Sequence, residues 1–279
     1  MMKKLLIPIA GMIFLAACNS NTPDAGVTTS PESAPPIIGF NVVNTFPHDT
    51  GFYTEGLEFH DGQLYESSGA GSVETEGGKP LYPSAFGIAN LKTGKVDRKV
   101  TLDNTTYFGE GITILGGKIY QLTWQNHKGY IYDAKTYKKL QEFSYPGEGW
   151  SLTHDSTRLI MSDGSSNLQV IDPAAITDVL KVQSIIGVTD NNGPVSNINE
   201  LEYINGYIFA NQYTTNYILK IDPANGKVVG KLNLDSLEAE AKAKYSNADY
   251  LNGIAWHPET KSLYVTGKLW PVIYEIKLN

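Results

Sequence analysis

From about residue 39 to residue 279, short apolar runs alternate with polar positions and are cut by glycine-rich turns. A period of two with β-branched and aromatic enrichment predicts strands rather than helices. Five segments open alike: Glu55-Gly56-Leu57, Glu110-Gly111-Ile112, Gly149-Trp150-Ser151-Leu152, Asn199-Glu200-Leu201 and Asn252-Gly253-Ile254. Each leads through a turn to a second strand. Leu64, Ile119, Leu159 and Ile208 lie seven residues after Leu57, Ile112, Leu152 and Leu201, and Leu263 comes two residues later in the last unit. Third strands are expected near 85–91, 129–133, 168–172, 218–222 and 272–278. Turns such as Asp61-Gly62, Gly116-Gly117, Asn205-Gly206 and Asn225-Gly226 punctuate the pattern. Fourth strands follow at 95–102, 138–144, 182–187 and 227–234.

A unit of about 40–55 residues with four short strands is the span of a propeller blade. The reading is an all-β, five-bladed β-propeller. Its fifth blade runs out of chain, so the N-terminal strand at 40–46 is expected to close the ring, leaving no exposed edge. The stretch 236–245, with Leu237, Glu238, Ala239, Glu240 and Ala241, predicts a short helical insertion.

The start of the chain changes the picture of where the protein works. Lys3 and Lys4 precede an apolar run, and Leu15-Ala16-Ala17-Cys18 closes it. The run is too short to span a bilayer and fits a secretory leader. Residues 1–18 are read as a lipoprotein signal, with Cys18 kept as a lipidated N-terminus. Residues 19–38 are read as a flexible tether and 39–279 as the propeller. Cys18 is the one cysteine of the chain, so no internal disulfide is expected. Asp and Glu number 29 against 22 Lys and Arg, which argues against nucleic acid and against a polybasic membrane patch. Membrane contact is therefore expected through the acyl chains alone. The expected location is extracytoplasmic, on the periplasmic face of the outer membrane in a Gram-negative host.

Aligning the second strands places Trp124, Tyr213 and Lys268 at one level of the ring. Glu66 stands lower, and its counterparts are Gln121, Met161, Ala210 and Val265. A single carboxylate among uncharged equivalents is costly to desolvate. It is either a working group or an acid paired with lysine or backbone amides. His48, His60, His127, His154 and His257 show no metal-ligand spacing, and Asp163-Gly164 and Asp190-Asn191-Asn192-Gly193 read as turns rather than calcium loops. Trp256 and Trp270 are expected to pack between blades.

The runs Phe46-Pro47-His48-Asp49-Thr50, Phe52-Tyr53-Thr54-Glu55-Gly56-Leu57, Tyr107-Phe108-Gly109-Glu110-Gly111 and Val265-Thr266-Gly267-Lys268-Leu269-Trp270-Pro271 resemble the plant and bacterial type of glutaminyl-peptide cyclotransferase. The resemblance extends in order from about Gly39 to Asn279. It implies a five-bladed propeller that converts N-terminal glutamine to pyroglutamate with loss of ammonia, needing neither metal nor cofactor. It further implies Glu66 as proton shuttle, with Asn199 and Lys268 as catalytic partners. Trp124, Trp150, Tyr213 and Glu55 would bind substrate. Tyr213 stands where plant members carry Trp, and Glu55 where they carry Gln.

The expected chemistry is intramolecular aminolysis. Glu66 would move the proton, while Asn199 and the indole N–H of Trp124 would hold the amide oxygen. Lys268 would either neutralise Glu66 or bind a peptide carbonyl. The expected partners are peptides with an N-terminal Gln, served by a monomer. The alternatives are a non-catalytic envelope scaffold and a propeller lactonase needing metal-binding Asn199, Glu200 and Asn252.

Overall fold

The computed structural model describes residues 33–70 and 80–279. Cys18 and the leader lie outside the described residues. Ser33–Asn279 forms one compact unit. Its first strand is β1 (Phe40–Pro47). Blade one holds β2 (Tyr53–His60), β3 (Gln63–Gly69), β4 (Ala85–Ala89) and β5 (Val96–Thr101). Blade two holds β6 (Gly109–Leu115), β7 (Lys118–Thr123), β8 (Lys128–Asp133) and β9 (Lys139–Ser144). Blade three holds β10 (Ser151–His154), β11 (Leu159–Ser162), β12 (Asn167–Ile171) and β13 (Val182–Gly187). A small hairpin, β14 (Thr189–Asp190) and β15 (Gly193–Pro194), turns through the Asp190–Gly193 segment.

Blade four holds β16 (Ile198–Ile204), β17 (Tyr207–Gln212), β18 (Tyr217–Ile221) and β19 (Val228–Asn233). Helix α1 (Asp235–Lys244) follows and buries Leu237 and Ala241. Blade five holds β20 (Leu251–His257), β21 (Ser262–Gly267) and β22 (Val272–Leu278), with β1 as its outer strand. The closing register runs antiparallel from Phe40 opposite Leu278 to Pro47 opposite Val272. Pro36–Ile38, placed by the sequence in the tether, lies beside β19, where Ile38 donates to the Lys231 carbonyl at 2.8 Å and Lys231 to that of Pro36 at 2.9 Å.

The first strand of each blade, not the second, is innermost. Strand β2 packs against β6 and β20, and β10 against β6 and β16, while β16 also meets β20. Glycine makes that approach possible. A Cβ on Gly111 would stand 2.6 Å from Ser151 Cα, and one on Gly56 would stand 3.0 Å from Gly111 Cα. The innermost strands expose backbone N–H groups toward their neighbours, and side chains satisfy them. Ile114 donates to Glu58 at 3.1 Å, Trp256 to Glu202 at 2.8 Å, and Leu57 and Ile254 to the two oxygens of Glu200 at 3.1 and 2.9 Å. A buried donor left unpaired would cost about 1–3 kcal/mol, so these acids are part of how the ring closes.

Apolar clusters fill the seams between blades. Leu57, Ala255 and Ile273 join blades one and five, and Phe86, Ile114 and Tyr132 join one and two. Leu122 with Leu152 and Ile160 with Leu201 continue the series. Trp270, fully buried, packs with Phe209 and Leu237 in the last seam, and half-buried Trp256 lies against the same cluster.

Candidate active site

Four of the five opening motifs sit at β-bulges. The pairing register slips at Thr54/Gly56, Gly109/Ile112, Ile198/Leu201 and Leu251/Ile254. An extra residue in a strand re-aims its side chain. Here the slips fall on Glu55, Glu110, Asn199 and Asn252, one on each of four innermost strands.

A cavity of about 150 Å³ opens above this level. Glu55, Glu110, Asn199 and Lys268 supply its polar lining, and Tyr53, Phe108, Trp124, Trp150 and Tyr213 its aromatic wall. Of the residues predicted from sequence, Asn199, Lys268, Trp124, Trp150, Tyr213 and Glu55 thus come together. Glu66 does not line the cavity. It lies on β3, the second strand of its blade, and is fully buried. His48 contacts its Oε1 at 2.8 Å, and Thr54 donates to the same oxygen at 2.8 Å. The opposite face of the His48 ring, Nδ1, lies 2.6 Å from the Trp270 carbonyl. Glu66 therefore ties blade one to the segment after β1 and to the loop before β22.

The carboxylate that faces the cavity and was not singled out is Glu110. Burial pushes its pKa well above the usual carboxylate range, the like charge of Glu55 pushes it further, and Lys268 offsets only part of this. A hydrogen bond links the two acids. Burial also raises Glu55, offset only in part by its ion pair with Lys268 and its bond to Glu110, and Asn252 Nδ2 donates to it at 3.1 Å. Two interacting acids titrate as a unit, and burial pushes both upward, Glu110 well above the usual carboxylate range. Lys268 thus pairs with Glu55 rather than Glu66, and its ammonium lies 4.4 Å from the centroid of the Tyr53 ring.

Asn199 is 4% exposed and its side-chain oxygen is buried without a hydrogen-bond partner among the described residues. The indole of Trp124, expected to hold an amide oxygen, donates instead to Glu148 Oε2 at 2.7 Å, and the Trp150 indole donates to the same atom at 2.8 Å. Tyr213 sets its ring edge-on to Trp150 at 5.7 Å and to Tyr250 at 5.1 Å. Gly164 makes room for the Trp150 indole, which accounts for the Asp163-Gly164 turn. Among the described residues, no three His, Cys, Asp or Glu side chains are grouped to hold a metal.

The profile of the glutamine cyclotransferase family matches residues 12–278. The chain belongs to that family. It is 36% identical over 282 residues to the glutaminyl-peptide cyclotransferase of Arabidopsis thaliana, covering 99% of this chain and 83% of the plant protein. The crystal structure of Myxococcus xanthus glutaminyl cyclase superposes with a TM-score of 0.76 at 31% identity, covering 88% of this chain and 98% of the other. The five-bladed propeller and the glutaminyl-cyclotransferase family membership therefore stand on sequence and structure together. Membership also gives the cluster of Glu55, Glu110, Asn199 and Lys268 a chemical context.

Proposed function

We propose that this chain converts the N-terminal glutamine of peptides into pyroglutamate, releasing ammonia, with Glu110 rather than Glu66 moving the proton. The observation that carries the reading is a buried acid facing a cavity, hydrogen-bonded to a second acid that is itself held by lysine, with burial and that like charge pushing its pKa well up. The substrate's α-amine attacks its own side-chain carbonyl carbon. Orientation of tethered groups supplies on the order of 7 kcal/mol. The aromatic wall keeps the side chain folded back against the amine.

Attack leaves a positive ring nitrogen, an oxyanion and an unprotonated leaving nitrogen. Glu110 gives its proton to the leaving nitrogen, the carbonyl reforms, and neutral ammonia departs. The Glu110 carboxylate then takes the proton from the ring nitrogen, which restores the pair. Such a shuttle is worth about 10²–10⁴-fold. Asn199, whose side-chain oxygen has no hydrogen-bond partner among the described residues, is available to hold the substrate carboxamide. A carboxamide facing a carboxamide pairs one donor and one acceptor on each side, which suits Gln and not Glu. No metal is assigned a part in this scheme. Cys18 is proposed to carry the lipid that anchors the enzyme on the extracytoplasmic side of a membrane, by the leader pattern alone.

The test is ammonia release from a Gln-Ala amide. Glu110→Gln should abolish it while leaving the melting temperature near that of the parent. Glu66→Gln, if folded, should retain turnover. Loss in Glu66→Gln with full activity in Glu110→Gln would reverse the assignment. Turnover should also survive EDTA.

A further inference from the structure

The aromatic wall of the cavity is built from two runs. Tyr53 and Phe108 approach at 6.2 Å and Phe108 and Trp124 at 5.7 Å, while Trp150 and Tyr213 approach at 5.7 Å and Tyr213 and Tyr250 at 5.1 Å. The runs face each other across the gap between Trp124 and Trp150. Glu148 fills that gap. One of its oxygens takes both indole N–H groups, and the other takes Gln125 Nε2 at 3.1 Å.

Glu148 is itself half-buried, in the loop between β9 and β10. Partial burial would raise its pKa, but the bonds from Trp150, Gln125 and Trp124 outweigh that, and His127 adds its pull. The side chain is therefore a fixed charge. On the other side of the mouth, Asp249 receives the Tyr53 hydroxyl at 3.2 Å. Among the described residues, Lys268 is the one lysine or arginine lining the cavity, and it is buried against Glu55. Among the described residues, the lip thus carries negative charge without an opposing Lys or Arg in the cavity lining.

We infer that Glu148 is a specificity-determining residue. It joins the two indoles into one wall and sets a negative charge where the residue after the glutamine must pass, so that Lys or Arg is favoured there over Asp or Glu. The inference rests on the cyclisation reading for the direction in which the peptide enters. A charge acts on a partner a few ångströms away without direct contact, and at an exposed lip the effect is modest and falls with salt. Uniform weakening of all substrates would mark a purely structural role. Charge-dependent weakening marks selection.

The experiment measures kcat/KM for Gln-Arg, Gln-Ala and Gln-Glu amides with the full chain, and the affinity of the matching pyroglutamyl dipeptide amides by tryptophan fluorescence. The parent should favour Arg over Glu by about three- to tenfold at low salt, and by less at 0.5 M NaCl. Glu148→Gln keeps an acceptor for an indole and should bring the Arg/Glu ratio close to one, with Gln-Ala changed less than threefold. Glu148→Ala frees both indoles and should raise KM for all three amides. An unchanged Arg/Glu ratio in Glu148→Gln, or no preference in the parent, overturns the inference while leaving cyclisation standing. Absence of ammonia release by the parent overturns the cyclisation reading, and the pyroglutamyl affinities then decide the charge preference independently.

Discussion

Glu110 and Glu66 are the same side chain in two surroundings. Glu66 sits against a histidine and a threonine and away from the cavity. Glu110 sits against another acid and the cavity. Removing the like charge tests this. Glu55→Gln takes away one cause of the raised Glu110 pKa and leaves Lys268 free to lower it further. Because the proposed shuttle works from the acid form of Glu110, the alkaline limb of kcat/KM should move to lower pH in that variant. A limb that stays in place would separate the two acids functionally. Glu66 drew notice from sequence because its equivalents in other repeats are uncharged. Its partner His48 lies in a segment before the first repeat, so nothing in the repeat pattern pointed to their pairing. Glu148 was equally hidden, since its meaning depends on two indoles converging from different blades.

At the level of the strand, the chemistry is delivered by the bulge. The Glu-Gly pairs were legible as punctuation of the repeats, and the blades were counted from them. Glu55 enters the site in sequence only through the family resemblance, and Glu110 not at all, because the alignment of second strands says nothing of acids on the first. The register slips on the first strands are what turn Glu55 and Glu110 toward the cavity, and a slip of this kind leaves no period-two signature in sequence. Gly111→Ala should displace the Ser151 backbone, costing about 2 kcal/mol or more and lowering activity, as read by thermal unfolding and ammonia release. The acids that cap innermost-strand amides make a second prediction. Burial first, and then the nearby Glu58, raise the Glu202 pKa well above the usual 4.5. Its stabilising contribution is therefore complete below about pH 4.5 and is lost as pH rises through the folded-state value. Glu202→Gln preserves an acceptor for Trp256 N–H and removes the titration. Its melting temperature should match the parent's near pH 5 and exceed it at pH 8. Each unit of displacement removed is worth about 1.4 kcal/mol.

Across the whole molecule, the ring is closed by pairing β1 with β22, as the unfinished fifth blade suggested from sequence. That pairing is also its most testable global contact. Cysteines at positions 41 and 277, which face each other in the register, would tie the ring shut in a chain lacking Cys18. The expected gain is about 2–4 kcal/mol, seen as a higher melting temperature that a reducing agent reverses. The same closure orders events in time. Strand β1 is among the first parts of the propeller to be synthesised, yet its partner arrives last, so the early strand must wait unpaired while the intervening blades form. Lys268 lies in the loop between β21 and β22, and His48 just after β1. The Glu55–Glu110 pair therefore lacks its lysine until the fifth blade is made, and a growing chain short of that blade carries an unfinished cavity.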